Sequence, residues 1–228
     1  MMDMTNFWVR TRRGQIVMTA ENRKPRVLMI HGFGRRANQL FDWRERIPDL
    51  GFVHLPGHSG PATLDASSMD VWIEGFTEFM AIFPEPPLVI AESLGAVLAM
   101  CVPTTALIAI DPILSTEQLW PIRRSIRDAL ARGEDLREIY EALFPGSFAW
   151  VLDRISAPTL VLAGSVPLMP ERDVAVVPSA LTDEDLAAYG AHPLVEARRI
   201  EGGHLLLDQN AGGVLAGAAV FMQRHGYL

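Results

Sequence analysis

Short apolar runs alternate with segments of helical periodicity along almost the whole chain. Runs such as Arg26–Ile30 and Ala106–Ile110 are almost wholly apolar, which is typical of strands buried on both faces. Segments such as Met69–Phe83 have apolar residues three or four positions apart, the spacing of a helix. The predicted strands are Trp8–Arg12, Gln15–Thr19, Arg26–Ile30, Gly51–Leu55, Pro87–Ile90, Ala106–Ile110, Thr159–Ala163 and Val195–Ile200. The predicted helices are Ala37–Ile47, Met69–Phe83, Leu94–Met100, Leu181–Tyr189 and Val214–His225. This alternation predicts an α/β protein, a three-layer αβα sandwich around a mostly parallel sheet.

One segment departs from this alternation. Residues 112–158 contain no strand pattern. Ile122, Ile126 and Leu130 mark one helical face, and a second face is marked by Leu136, Ile139, Tyr140 and Leu143. We interpret 112–158 as a helical lid inserted at the sheet's edge, within a single domain that spans 1–228.

Composition excludes several classes of protein. The chain has 228 residues and a formal net charge of −7, so it is a poor candidate for binding nucleic acid. Its one cysteine, Cys101, excludes an internal disulfide framework and a zinc cluster. The first residues lack the apolar stretch of a signal peptide, and no run approaches the length of a transmembrane helix. We therefore expect a cytoplasmic protein that does not bind membranes.

In an open α/β sheet, ligands bind where the strands end at their carboxyl side. The predicted strand Pro87–Ile90 is followed by Ala91-Glu92-Ser93-Leu94-Gly95. Small residues two before and two after a serine allow a tight strand-to-helix turn that lifts its Oγ above the sheet. The alternative interpretation is that Ser93 only caps the helix.

A glycine-rich segment follows the strand Arg26–Ile30. In His31-Gly32-Phe33-Gly34, glycines allow the backbone to approach a ligand, and N–H groups here could face an oxyanion. Residues 32–37 also fit the dinucleotide fingerprint G-x-G-x-x-A. That fingerprint requires a carboxylate at the end of the next strand to bind the ribose, but this chain has His54 and Pro56 there, which disfavours a dinucleotide site.

Two glycines precede His204 in the loop after the last predicted strand, Val195–Ile200. This is the best candidate base, because the order Ser…Asp…His places the histidine late in the chain. The alternative interpretation is that His204 is a surface or core histidine with no catalytic role. His54 and His58 are separated by Pro56 and Gly57, which excludes helical metal-ligand spacing, so we predict no metal site.

Together these motifs resemble the α/β-hydrolase fold superfamily. They are HGFG at 31–34, LPGHSGP at 55–61, AESLGA at 91–96 and EGGH at 201–204, in the family's order. The resemblance covers nearly the whole chain and implies a serine-esterase-like enzyme with Ser93 as nucleophile and His204 as base. It implies no metal and no organic cofactor.

The family's acid is not at its commonest position. It most often follows the strand predicted here at Thr159–Ala163, in a turn resembling G-x-x-D-x-x-x-P, but this chain has Pro167 in its place. Some family members, including haloalkane dehalogenases and pancreatic-type lipases, have the acid after the earlier strand instead, and this chain resembles them in that respect. Asp111 ends that strand here and is the favoured acid. Glu171 or Asp173 from the later loop, or no acid at all, stay open as alternatives.

The remaining carboxylates near these motifs fit roles outside the chemistry. Asp183 and Asp185 fit first-turn charges of a helix capped by Thr182. Glu92 is expected to face elsewhere on the turn, and Asp208 follows His204 too closely to orient it from the usual side.

The expected activity is hydrolysis of a small or medium carboxylic ester or thioester through an acyl-enzyme on Ser93. Backbone N–H groups of Phe33 and Leu94 would bind the oxyanion. The partner would be a small acyl substrate. Most of the lid's large apolar residues should pack on the sheet, and a few could face the pocket: Leu119, Trp120, Tyr140, Phe144, Phe148 and Trp150. Two alternatives remain: a catalytically silent binding protein, motivated by Pro167, and a dinucleotide-binding Rossmann-type protein.

Overall fold

The computed structural model describes residues 4–58, 61–66, 68–133 and 146–227. Its strands are β1 (Thr5–Thr11), β2 (Gly14–Ala20), β3 (Val27–Ile30), β4 (Leu50–His54), β5 (Thr63–Leu64), β6 (Leu88–Glu92), β7 (Ala106–Ile110), β8 (Thr159–Gly164) and β9 (Val195–Ile200). Its α-helices are α1 (Met69–Met80), α2 (Ser93–Ala99), α3 (Trp120–Ala131), α4 (Asp183–Gly190), α5 (Leu206–Gln209) and α6 (Ala211–Arg224). Two 3-10 helices cover Ala37–Glu45 and Ala149–Arg154.

The strands form one mixed, mostly parallel sheet in the order β1-β2-β4-β3-β6-β7-β8-β9, and β5 pairs with β2. The pairings of β2 with β1, β4 and β5 are antiparallel, and the remaining pairs are parallel. In register, Ile30 lies beside Ala91, Glu92 beside Ile110, and Ile110 beside Leu162. The chain therefore leaves β3, β6, β7 and β8 at nearly the same level, which brings the residues after these strands together.

Helices cover both faces of the sheet, which confirms the predicted fold class. On one face, α1 and α2 bury side chains such as Trp72 and Phe76. On the other, the first 3-10 helix contributes Trp43, and α6 contributes Ala218 and Phe221. The central strands are buried on both faces because these layers enclose them, as their apolar runs predicted.

Some elements differ from prediction in their type or their bounds, and three were not predicted. The segment predicted as a helix over Ala37–Ile47 forms a 3-10 helix, and β5, α5 and the 3-10 helix Ala149–Arg154 were not predicted. The last helix begins at Ala211 rather than Val214, because the Asn210 side chain accepts a hydrogen bond from the Gly213 N–H at 2.8 Å and caps it.

The inserted segment connects β7 and β8, which are neighbours in the sheet. Its first predicted helical face belongs to α3, whereas the second, at 136–143, lies outside the described residues. Among the described residues, no helix has both the length and the apolar character needed to cross a membrane.

Candidate active site

Ser93 stands at a sharp turn between β6 and α2. Its φ is 53°, in the left-handed region that only a few per cent of non-glycine residues adopt. Two glycines leave the space that this turn needs. A Cβ on Gly95 would overlap the His31 carbonyl oxygen, and a Cβ on Gly32 would lie 2.9 Å from the Ser93 Cβ. The backbone of Gly32 therefore passes directly beside the serine.

His204 reaches Ser93 from the loop after β9. Its backbone N–H donates to the Val177 carbonyl at 2.8 Å, and a Cβ on the preceding Gly203 would overlap that same carbonyl oxygen. The imidazole Nε2 is 3.0 Å from the Ser93 Oγ, and its Nδ1 is 2.5 Å from Asp111 Oδ2. Because a carboxylate only accepts, Nδ1 carries a proton, and the neutral ring then presents an unprotonated Nε2 to the serine.

Asp111 is fully buried directly after β7, with a φ of 43°. Its Oδ1 accepts hydrogen bonds from the Gly164 N–H at 2.8 Å and the Ser179 hydroxyl at 2.6 Å. Its Oδ2 accepts from the Ala180 N–H at 2.7 Å in addition to His204. Four donors around one carboxylate stabilise its charged form in the interior.

The loop after β8, where the family most often has its acid, supports Asp111 instead. Gly164, Ser179 and Ala180 at the two ends of this loop are the donors just described. The alternative acids do not approach His204: Asp173 lies 3.3 Å and Glu171 3.8 Å from the guanidinium of Arg124 at the surface. Asp111 is thus the carboxylate that the structure brings to His204, although its catalytic role stays a prediction.

The electrostatic surroundings of His204 raise the pKa of its imidazole. Burial acts to lower the pKa of His204, but the hydrogen bond and the charge of Asp111 outweigh burial and raise it above the ordinary value. Glu92 raises the pKa further, and Arg35 opposes this. Such a ring is suited to receive a proton during a reaction and to hold it while charge develops nearby.

The predicted oxyanion donors, Phe33 and Leu94, both lie beside Ser93. Leu94 is in the first turn of α2, where backbone N–H groups lack partners within the helix. Phe33 is the second residue of a turn closed by the Arg35 N–H donating to the Gly32 carbonyl, and Gly34 has the positive φ that the third position of such a turn favours. The role of these two N–H groups as oxyanion donors stays a prediction.

A cavity of about 640 Å³ opens beside Ser93 and His204. Its apolar lining includes Phe33, Val177 and Leu205, together with Ile122 and Ile126 of α3. Among the described residues, the inserted segment therefore contributes aliphatic rather than aromatic side chains to this apolar lining. Leu119, Trp120 and Phe148 are buried in the core and Trp150 is partly exposed, whereas Tyr140 and Phe144 lie outside the described residues.

Sequence reasoning missed a group of charged residues next to the site. Glu92 was expected to face elsewhere on the turn; it is buried against Arg35, whose guanidinium also binds Asp208, and its charge acts on His204. Ser179, which donates to Asp111, was not singled out either. An arginine directly after a glycine-rich strand end was the one available signal, because the separation of Arg35 and Asp208 in sequence hides their contact.

Comparison with known proteins shows similarity in structure. No protein-family model matches the chain, and no curated protein matches it in sequence. The naproxen esterase (carboxylesterase NP) of Bacillus subtilis is 14% identical, with a TM-score of 0.70 over 96% of this chain and 92% of that one. The N-formylmaleamic acid deformylase of Pseudomonas putida is 16% identical, with a TM-score of 0.70 over 94% and 100%.

The thioesterase domain from the curacin biosynthetic pathway is also similar, at 16% identity and a TM-score of 0.63 over 96% of this chain and 98% of that domain. At such identities the likeness establishes the fold. The chain has the α/β-hydrolase fold, as its motifs predicted.

Proposed function

We propose that this protein is a serine hydrolase that cleaves a small or medium carboxylic ester or thioester through an acyl-enzyme on Ser93. The observation that carries the proposal is the continuous hydrogen-bonded series from Asp111 through His204 to the Ser93 Oγ. A serine hydroxyl is a weak nucleophile until an adjacent base can take its proton. The neutral Nε2 of His204 is that base.

In the acylation step, the Ser93 Oγ attacks the carbonyl carbon while its proton moves to His204 Nε2. Asp111 keeps the proton on Nδ1 and stabilises the imidazolium that forms. Collapse of the tetrahedral intermediate breaks the bond to the alcohol or thiol, which leaves with the proton from Nε2. Water then repeats the sequence on the acyl-enzyme and releases the carboxylic acid.

The oxyanion is proposed to bind at the backbone N–H groups of Phe33 and Leu94. The close passage of Gly32 by Ser93 supports this placement, because it brings the following peptide unit next to the nucleophile. One donor of this kind is typically worth about 3–4 kcal/mol of barrier.

The apolar part of the cavity supports an aliphatic acyl group of small or medium size. Phe33, Ile122, Ile126 and Val177 offer carbon surface to a substrate, whereas the charged residues Arg35, Arg132 and Asp208 line the rest of the cavity. The similar proteins, by their names, are an esterase, a deformylase and a thioesterase, which supports hydrolysis as the class of reaction.

The two alternatives are less well supported. The silent binding protein was considered because Pro167 stands at the usual position of the acid. The contact of Asp111 with His204 offers an acid from another strand and so weakens that reason. The dinucleotide interpretation needs free N–H groups in the glycine-rich segment, but the Gly32 N–H donates to Glu92 at 3.1 Å.

Labelling with a fluorophosphonate probe tests the proposal. We expect stoichiometric labelling of the wild type at neutral pH, loss of labelling in Ser93→Ala, and wild-type labelling in Ser156→Ala, an exposed serine before β8. Turnover of p-nitrophenyl butyrate and of a butyryl thioester then separates the two substrate classes. Labelling that persists in Ser93→Ala would contradict the proposal.

A further inference from the structure

An ionic cluster of Arg35, Glu92 and Asp208, of which the first two are buried, lies against the candidate site. The Arg35 Nε is 2.6 Å from Glu92 Oε1, and its two terminal nitrogens bind Asp208 at 3.1 and 2.5 Å. Arg35 and Glu92 are 9% and 3% exposed, whereas about half of the Asp208 side chain is exposed. One guanidinium thus holds two carboxylates from distant parts of the chain.

Each member of the cluster belongs to a different segment of the site. Glu92 directly precedes Ser93, Arg35 ends the turn that contains Phe33, and Asp208 lies in α5, four residues after His204. Glu92 Oε1 also accepts the Gly32 N–H at 3.1 Å. The nucleophile turn, the Phe33 turn and the histidine loop are therefore joined by hydrogen bonds that do not involve Ser93 or His204.

We propose that Arg35 is a positioning residue that, through Glu92 and Asp208, fixes the Phe33 turn and the His204 loop around Ser93. This inference rests on the proposed hydrolase function. A guanidinium suits the role because its planar fork donates in several fixed directions at once, which a lysine ammonium cannot do. Without the guanidinium, the Phe33 turn and the His204 loop would keep their folds, but Phe33 and His204 could shift by fractions of an ångström relative to Ser93.

The cluster also sets the charge near the base. The charged groups that face His204 are Asp111, Glu92 and Arg35. Burial raises the pKa of Glu92, while the charge of Arg35 and the Gly32 N–H oppose that rise. Arg35 therefore has a second consequence: it favours the carboxylate form of Glu92, a negative charge close to His204.

The direct test is Arg35→Gln, with Arg224→Gln as the matched control. Arg224 pairs with Glu196 at the surface, so its loss removes an arginine ion pair away from the site. A shift of about 1 Å in a reacting group can cost about 100-fold in rate. We expect kcat for an ester substrate to fall about 10- to 100-fold in Arg35→Gln with KM changed less than threefold. The control should keep wild-type values, and Arg35→Lys should recover only part of the loss.

The pH dependence of kcat/KM gives a readout that a purely structural role would not move. Glu92→Gln removes a negative charge that raises the pKa of His204, and Arg35→Gln removes a positive charge that lowers it. The acid limb is therefore expected at higher pH in Arg35→Gln than in Glu92→Gln. Coincident limbs in the two variants, or the reverse order, would overturn the proposal.

The remaining outcomes are also decisive. If KM rises while kcat is unchanged, Arg35 binds substrate and does not position the site. If Arg35→Gln does not fold, Asp208→Asn removes only the half-exposed partner, and a kcat equal to wild type in that variant would overturn the proposal. Full activity in Arg35→Gln with none in Ser93→Ala refutes the positioning role alone. Full activity in Ser93→Ala refutes the hydrolase function itself.

Discussion

Replacing Asp111 by asparagine changes one atom at the centre of the candidate site. In the wild type, both carboxylate oxygens accept two hydrogen bonds each. Asparagine retains one oxygen and presents an NH2 group on the other side. Whichever way the amide is oriented, its NH2 meets a backbone N–H, either that of Gly164 or that of Ala180.

The two orientations have different consequences for His204. With the NH2 group toward His204, the ring must accept at Nδ1, so its proton moves to Nε2 and the base is lost to Ser93. With the NH2 group toward Gly164, the tautomer is kept but the charge that stabilises the imidazolium is gone. The same change in a serine protease triad lowers kcat about 10⁴-fold, equivalent to about 5.5 kcal/mol of barrier. The opposed N–H groups should cost about 1–3 kcal/mol of folding stability.

The assay is kcat/KM for p-nitrophenyl butyrate, with urea unfolding measured on the same samples. Asp173→Asn is the matched control, because its carboxylate pairs with Arg124 at the surface. We expect a loss of about 10³- to 10⁴-fold in Asp111→Asn and none in Asp173→Asn. Activity of Asp111→Asn within tenfold of wild type, or a larger loss in Asp173→Asn, would refute the assignment of Asp111.

Three further predictions concern stability. Burial lowers the pKa of His31 to about 3 in the folded state, below the ordinary 6.5. Its stabilising contribution is therefore complete above about pH 6.5 and falls by about 2 kcal/mol on acidification to about pH 5; His31→Gln should lose this part of the pH dependence in urea titrations. Gly95→Ala should lower stability by about 1–3 kcal/mol or more, because the added methyl overlaps the His31 carbonyl, and an unchanged melting temperature would contradict this. Trp120→Phe removes a hydrogen bond to the Leu168 carbonyl at 2.8 Å, and calorimetry should show a loss of about 1–2 kcal/mol.

The sheet could be predicted because its signal is local. A strand buried on both faces must be apolar along most of its length, and Val27–Ile30, Ala106–Ile110 and, after its first residue, Thr159–Gly164 satisfy this. Short elements carry no such signal. The two-residue strand Thr63–Leu64 and the four-residue helix Leu206–Gln209 exist because neighbouring segments hold them, and their own residues show no period.

The acid shows how far motif reasoning extends. Pro167 indicated only that the usual position was empty, and strand order then favoured Asp111. What the sequence could not supply was the environment that holds a charged Asp111 in a fully buried place. That environment comes from Gly164, Ser179 and Ala180, which lie 53 to 69 residues away in the chain. Gly164 and Ala180 donate through their backbone N–H groups, which any residue except proline would offer, so the sequence carries no signal for them.

The Arg35 cluster escaped prediction for a related reason. Burying charged side chains such as Arg35 and Glu92 is unfavourable unless each is paired, so composition alone favours placing them at the surface. Here the pairing joins residues separated by 57 and 173 positions, and it becomes possible only after the parallel sheet aligns the ends of β3 and β6. The sheet first brings the catalytic candidates together by its register. The same alignment then allows a buried ion pair to form beside them, so fold and site electrostatics have a common cause.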